Sequence, residues 1–263
     1  MDFNQFKEKA IKALNLNLNG YKIKRVKRRT NSLMKRQNID NYKECLQKIK
    51  TDSEFRATFL NHLTINTTEF FRNPKNFEYL NRKIFPALFD EFRKINIWSA
   101  PCANGAEPYT LAIILAELGI NSRKYNILAS DIDSDILEAA RQGLYNKKAL
   151  KNAPRDILEK YFTEKDGRYQ INNSIKQKVQ FEKKDLIEEK YKKDWHLILC
   201  RNFFIYLTRE LKTTLTQKFV DSLVDGGYLF LGNTEFIFTP KKYGLKKTEL
   251  SFYQKVASLN ENN

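Results

Sequence analysis

The feature that most limits the fold of this sequence is an alternation of short apolar segments with helical patterns, which begins at Ile95. Strands that alternate with helices are typical of a parallel sheet covered by helices on both faces. The predicted order is strand 95–99, helix 107–118, strand 125–130, helix 134–142, helix 154–161, strand 195–199, helix 208–223, strand 227–232 and a strand near 251–256. We therefore expect an α/β domain.

Two regions depart from this alternation. From Phe3 to His62 the apolar spacing is helical throughout and predicts four short helices, with Asp40 capping the third and Asp52 or Ser53 the fourth. Between 162 and 182, the segments Arg168–Ile171 and Lys178–Phe181 flank Asn-Asn-Ser and predict a small antiparallel insertion.

The charge is concentrated near the beginning of the chain. The sequence has 47 Lys and Arg against 31 Asp and Glu, a net charge of +16, and residues 22–36 contain eight basic side chains and no acid. Ile23, Val26, Leu33 and Met34 recur there near helical spacing, which predicts a helix with one apolar stripe and a basic face. Such a face suits an anionic partner, which leaves nucleic acid, an acidic membrane surface and an acidic protein surface open.

Other site classes find little support in the composition. Three cysteines and two histidines, at 45, 102, 200, 62 and 196, form no metal motif, disulfide framework or Ser-His-Asp pattern. For that reason we expect no metal. We also expect no membrane insertion, because no apolar run approaches the roughly 20 residues that span a bilayer. The first residues lack a basic stretch followed by an apolar one, so we expect a cytoplasmic protein.

The turn after the first predicted strand is the place to look for a ligand, because doubly wound sheets bind at the carboxyl ends of their strands. Residues 99–109 contain one glycine, Gly105, and lack the GxGxxG of a dinucleotide site. Asp131 ends the second strand, where a carboxylate can accept hydrogen bonds from a ribose diol. A nucleoside without a diphosphate, such as S-adenosylmethionine, fits this pattern, although an acid after a strand is also a common helix cap.

Five blocks in order carry a family resemblance across nearly the whole chain. They are 66–72 (NTTEFFR), 98–109 (WSAPCANGAEPY), 130–133 (SDID), 200–206 (CRNFFIY) and 226–235 (GGYLFLGNTE). Together they resemble the CheR family of chemotaxis methyltransferases. The chain departs from the family pattern at Ala103, Asn104, Ala106 and Thr110, which leaves the hydrogen bonds of the second block open.

The resemblance implies an N-terminal all-helical domain (1–70), a Rossmann-like methyltransferase domain (71–263) and a small antiparallel β-subdomain inserted at 162–182. It implies S-adenosylmethionine as cofactor and S-adenosylhomocysteine as product. By motif match, the implied cofactor-binding residues are Asn66, Thr68, Arg72, Glu107, Asp131, Asp185, Leu186, Arg201 and Asn202. Tyr206 and Arg72 are the implied catalytic residues near the reactive methyl group.

The resemblance further implies methyl transfer to glutamate side chains of chemoreceptors, whose methylated regions are acidic helical bundles. Lys24, Arg25, Arg28 and Arg29 on the basic helix are then expected to dock the receptor, and the β-subdomain is a candidate site for a receptor C-terminal peptide. We expect a monomer that has no nucleic acid as its partner. Two alternatives stay open: a degenerate methyltransferase that only binds receptor or cofactor, and a nucleic-acid methyltransferase.

Overall fold

The structure is a computed structural model that describes residues 1–14, 20–64, 68–249 and 251–257, without the side chains of residues 61 and 64. Its contacts group the chain into two compact units. The N-terminal unit comprises residues 1–66 together with 206–212, and the second unit comprises 67–205 and 213–263. The division at residue 70 expected from the sequence stays a prediction of domain organisation.

The N-terminal unit is built from helices, as the apolar spacing predicts. They are α1 (Phe3–Leu14), α2 (Ile23–Arg36), α3 (Tyr42–Thr51) and α4 (Ser53–Thr64). Asp52 caps α4, since its carboxylate accepts the backbone N–H of Phe55 at 2.9 Å. The prediction that Asp40 caps α3 is wrong: the neighbouring Asn41 accepts the N–H groups of Lys43 and Glu44.

Helix α2 has the predicted amphipathic character, with one exception. Val26, Leu33 and Met34 are buried, and Thr30 lies on the same face. Ile23, predicted to belong to this stripe, is 43% exposed and is the first residue of the helix. The exposed basic residues of this segment are Lys22, Lys24, Lys27, Arg28, Lys35 and Arg36.

The second unit contains two sheets and the remaining helices. The strands are β1 (Ile95–Ser99), β2 (Tyr125–Asp131), β3 (Leu144–Tyr145), β4 (Phe162–Lys165), β5 (Arg168–Ile171), β6 (Val179–Lys183), β7 (Trp195–Cys200), β8 (Leu223–Leu231), β9 (Leu245–Lys247) and β10 (Phe252–Lys255). The helices that lie wholly in this unit are α5 (Pro74–Tyr79), α6 (Phe85–Glu91), α7 (Ala106–Glu117), α8 (Ser134–Gln142), α9 (Arg155–Tyr161) and α10 (Asn173–Lys176). Helix α11 (Arg209–Ser222) begins within residues 206–212 of the N-terminal unit and continues in the second unit. A π-helical turn, Leu80–Ile84, joins α5 to α6.

The main sheet has the order β6-β2-β1-β7-β8-β10-β9 in the part of the chain that the structure describes. Strands β6, β2, β1, β7 and β8 are parallel, and β10 and β9 complete the sheet in antiparallel fashion. All six residues of β7 are buried, as expected for a parallel strand covered on both faces. The strand order reverses at β1, so the crevice at the carboxyl ends of β1 and its neighbours is the expected ligand site.

The predicted antiparallel insertion is correct for one strand and wrong for the other. Strand β5 pairs with β4 and β3 in a small antiparallel sheet. The segment Lys178–Phe181 does not pair with β5, because it forms most of β6 and lies parallel to β2, with Val179 opposite Ile127. The hairpin turn is instead Asp166-Gly167, where both residues have positive φ, as tight hairpin turns require.

No helix among the described residues is long and apolar enough to cross a membrane.

Candidate cofactor and active site

The loop between β1 and α7 is held by its own backbone geometry. Gly105 precedes α7 with φ of 81°, and a Cβ at that position would lie 2.9 Å from Cβ of Ala140, so both the conformation and the packing require glycine. The side-chain oxygen of Asn104 accepts the N–H of Ala106 at 3.2 Å, and the backbone carbonyl of Asn104 accepts from the Tyr145 hydroxyl at 2.8 Å. Asn104, a departure from the family pattern, therefore supplies turn-stabilising hydrogen bonds itself.

Asp131 joins the end of β2 to this loop. One carboxylate oxygen accepts the N–H of Ala103 at 2.9 Å, and the other accepts the N–H of Asp133 at 3.1 Å. Burial raises the pKa of Asp131 to about 6, although the N–H donors oppose that rise. The helix-cap alternative belongs to Asp133, whose side chain accepts from the first turn of α8.

A buried ion pair links three of the predicted site residues. Arg201, after β7, donates to Glu107 at 3.0 Å, and Ser99 donates to the other oxygen of that carboxylate at 2.8 Å. Arg201 also donates to the carbonyl of Arg72 at 2.8 Å and to the side chain of Asn73 at 2.9 Å. The pair thus connects three places: the segment of the first block, the end of β7, and the first turn of α7, which directly follows the loop of residues 100–105, here called the cofactor loop.

Glu235 is a site residue that the sequence analysis did not assign. Its buried carboxylate accepts the backbone N–H groups of Asn202 and Gly232, each at 2.7 Å, and of Ile205 at 3.1 Å. Desolvation nevertheless raises the pKa of Glu235. Its only sequence signal was its place at the end of the last family block, and Glu235 fixes the loop after β8 against the loop after β7.

Strained backbone collects around the same residues. Phe71, Asn73, Ala103 and Asn202 have φ values of 51°, 64°, 47° and 60°, a region that non-glycine residues rarely adopt. The side chain of Asn73 accepts a hydrogen bond from Arg201, and the backbone N–H of Ala103 donates to Asp131. Asn202 directly follows Arg201 in the sequence. Such strain persists where surrounding contacts overdetermine the backbone, and it clusters at functional sites.

Other predicted cofactor residues are not part of this network of bonds. The Asp185 side chain accepts from Ile187 and Glu188 and so stabilises the turn after β6, and the Leu186 carbonyl accepts from the Tyr191 hydroxyl. Thr68 accepts through its carbonyl from the Asn104 side chain at 3.4 Å. Asn66 lies outside the described residues.

Comparison with known proteins gives the family. The model described as "CheR methyltransferase, SAM binding domain" matches residues 66–252, and "CheR methyltransferase, all-alpha domain" matches 1–64. The chain belongs to the CheR methyltransferase family. It is 36% identical to a chemotaxis protein methyltransferase of Listeria innocua over 255 residues, 97% of each chain. It is 34% identical to the Borreliella burgdorferi chemotaxis protein methyltransferase, covering 84% of this chain and 83% of the relative.

The residues present fit the S-adenosylmethionine of this CheR family. The Asp131 oxygens accept the backbone N–H groups of Ala103 and Asp133, and since a carboxylate has about four acceptor positions, capacity remains for a ribose hydroxyl. Ala103 and Gly105 in the loop beside it, and Ala106 directly after that loop, are small residues. No glycine-rich diphosphate motif is present in the sequence of that loop, which agrees with a nucleoside that carries no phosphate. The chain is an S-adenosylmethionine-dependent methyltransferase.

The N-terminal unit of this CheR-family chain contains the remaining predicted residues. The Arg25 guanidinium lies 5.4 Å from the ring centroid of Tyr206, and both side chains line a cleft with Arg29. Arg29 also donates to the carbonyl of His62 and so ties α2 to α4. Lys24 and Arg28 are exposed, whereas Arg25 and Arg29 are partly buried. The four predicted docking residues therefore form two pairs with different surroundings.

Proposed function

We propose that this methyltransferase converts glutamate side chains of chemoreceptor cytoplasmic domains to methyl esters, in the cytoplasm, and so takes part in chemotactic adaptation. The observation that carries the proposal is the buried Asp131 at the cofactor loop, in a chain that matches chemotaxis protein methyltransferases along nearly its whole length. Glu107, Arg72, Arg201 and Asn202 support it, because their hydrogen bonds join the segment of the first block to the loops that follow β7 and β8.

Methyl transfer to a glutamate side chain requires no proton transfer by the protein. Bound S-adenosylmethionine supplies an electrophilic methyl group, and a glutamate with an ordinary pKa near 4.3 is already ionised at neutral pH, so no general base is required. Opposite charges disappear as the ester forms, so a site that strips water from the carboxylate and aligns it favours the reaction. We assign Arg72 and Tyr206 to that alignment, and Asp131 to the ribose.

We further propose that the receptor approaches through opposite charge. Lys24 and Arg28 lie exposed on α2, and acidic helical bundles are the complementary surface. The small sheet offers a second contact, because β4 is at its edge among the described strands and a receptor C-terminal peptide can add to an edge strand. We expect the enzyme to act as a monomer.

The test is transfer of labelled methyl groups from S-adenosylmethionine to receptor-containing membranes. Base-labile, volatile label in receptor protein is the expected result, because methyl esters release methanol in base. Asp131→Ala is the control variant and should reduce the label by weakening cofactor binding. Label in RNA would contradict the proposal in favour of a nucleic-acid methyltransferase, and bound cofactor with no label in any acceptor would favour a binding module.

A further inference from the structure

Two phenylalanines stand exposed immediately after Glu235. Phe236 is 55% exposed and Phe238 is 75% exposed, and their rings pack edge to face with centroids 4.7 Å apart. The other large hydrophobic side chains exposed in the described ranges are Met1, Ile23, Leu118 and Val256, so these two are the aromatic ones. Exposed aromatic pairs are costly to keep in water and commonly mark a binding surface.

The pair is held in place by the residues with which it alternates. Glu235 is buried and accepts the three N–H groups described above. The N–H of Ile237 is directed at the hydroxyl of buried Tyr253, at 3.2 Å. The backbone on either side of Phe236 is therefore anchored, and the rings project from a fixed segment. Preorganised aromatic side chains lose little conformational entropy when they bind.

The segment begins beside the cofactor site. Strands β7 and β8 are parallel, so the loops that follow them leave the same edge of the sheet. Glu235 accepts from the N–H of Asn202, one of the predicted cofactor residues, and Phe236 is the next residue along the chain. A molecule that contacts the two rings therefore lies close to that edge.

The positive charge of residues 236–248 indicates what kind of partner the two rings suit. From Phe236 to Thr248 the chain has the exposed lysines Lys241, Lys242, Lys246 and Lys247 and no acidic residue. Aromatic anchors followed in the sequence by exposed lysines complement an amphipathic segment with an acidic face. The arrangement suits a nucleic acid less well, because the planes of the two rings are inclined at 69° and so do not offer parallel faces on which successive bases could stack.

We propose that Phe236 and Phe238, with Lys241 and Lys242, form a docking surface for the acidic receptor helix that carries the substrate glutamate. We call it the aromatic docking surface. The inference rests on the proposed function, since that function supplies an acidic helix as the substrate. It adds a contact in the second unit to the one proposed on α2.

The test compares the wild-type protein with the double variant Phe236→Ala/Phe238→Ala. The probe is the cytoplasmic helical bundle of a chemoreceptor from the same organism, measured for binding in the presence of S-adenosylhomocysteine and for methylation. We expect the KM and the Kd for the bundle to rise at least about tenfold, because central aromatic anchors dominate such interfaces. The Kd for S-adenosylhomocysteine should stay within about twofold, since neither ring belongs to the network around Asp131 and Arg201.

Leu118→Ala is the matched control, because it truncates another exposed apolar side chain, at the far end of α7. It should leave both receptor constants unchanged. Phe236→Tyr/Phe238→Tyr keeps the rings and should restore most of the receptor affinity.

Three outcomes would overturn the docking surface. They are unchanged receptor constants in the double alanine variant, a parallel loss of S-adenosylhomocysteine affinity, and loss of RNA binding with unchanged receptor methylation. The proposed function fails separately, if the wild-type protein binds the bundle but forms no ester. In that case a loss of bundle binding in the double variant still supports the docking surface.

Discussion

The pair formed by Glu107 and Arg201 shows how single residues build this site. Both side chains are nearly inaccessible to water, and both Glu107 oxygens have partners in the protein. A buried ion pair offsets its desolvation only when its hydrogen bonds are satisfied, and removal of one partner leaves a charge without compensation. We infer that Glu107 acts mainly by holding the cofactor loop against the end of β7.

Replacement of Glu107 by Ala should lower the free energy of unfolding by about 3–5 kcal/mol, because Arg201 then remains buried without its counterion. Chemical denaturation measures the change. The matched control is Glu78→Ala, which removes an exposed ion pair with Arg82 and should change the stability by no more than about 0.5 kcal/mol. Equal changes in the free energy of unfolding for the two variants would show that the buried pair contributes no more to stability than the exposed one.

Asp131 should make cofactor binding depend on pH. Its pKa is raised to about 6, so the ionised acceptor that a ribose diol needs is lost as the pH falls through 6. We expect the affinity for S-adenosylhomocysteine to be constant above that pH and to fall about tenfold per unit below it. Calorimetry from pH 5 to 8 measures this.

Asp131→Asn is the control for that profile. It should bind more weakly at pH 7.5 and lose the dependence on pH. A wild-type affinity that stays flat down to pH 5 would contradict the assignment. The same shift affects folding in the opposite direction: the folded state holds this proton more tightly than the unfolded state, so the free energy of unfolding decreases as the pH rises from about 4 to about 6.

At the scale of elements, α2 places its basic side chains in two kinds of surroundings that its sequence does not distinguish. Arg25 and Arg29 are one turn apart and have partners within the N-terminal unit, whereas Lys24 and Arg28 are one turn apart and exposed. Long-range attraction of an acidic partner depends on exposed charge, which salt screens over about 8 Å at physiological ionic strength.

Lys24→Glu/Arg28→Glu should therefore raise the KM for receptor about tenfold or more at low salt, and the difference from wild type should shrink as salt is added. Cofactor affinity should not change. Lys43→Glu/Lys50→Glu on α3 makes the same change of charge at exposed positions and is the control. If both double variants behave alike, net charge and not the α2 surface governs the encounter.

The sequence predicts elements with strong local signals and misses those that depend on distant partners. Strand β1 and helix α8 lie at the predicted residues, because apolar periodicity and the Asp133 cap are local. The segment of β6 was given the wrong partner, since a short apolar run does not indicate whether it pairs with β5 or, about fifty residues back, with β2. Glu235 was missed for the same reason: its donors Asn202 and Ile205 are 33 and 30 residues away.

At the scale of the whole molecule, the chain does not divide at one point. Residues 206–212 group with the N-terminal unit, although 205 and 213 belong to the second. Within the N-terminal unit, Tyr21 pairs with Leu207, and the carbonyl of Tyr206 accepts from the N–H of Lys22. Tyr206, expected from the family pattern to lie near the methyl group, thus has its neighbours in the helical unit, which no linear division of the sequence predicts.

The central claim is that the nucleoside of the cofactor binds at the carboxyl edge of the main sheet, beside Asp131. A crystal structure with S-adenosylhomocysteine tests it most directly. The account predicts ribose hydroxyls within about 3 Å of the Asp131 carboxylate and the ligand against the loop that contains Gly105. A ligand bound at another edge of the sheet, or crystals that take up no ligand at saturating concentration, would contradict the account.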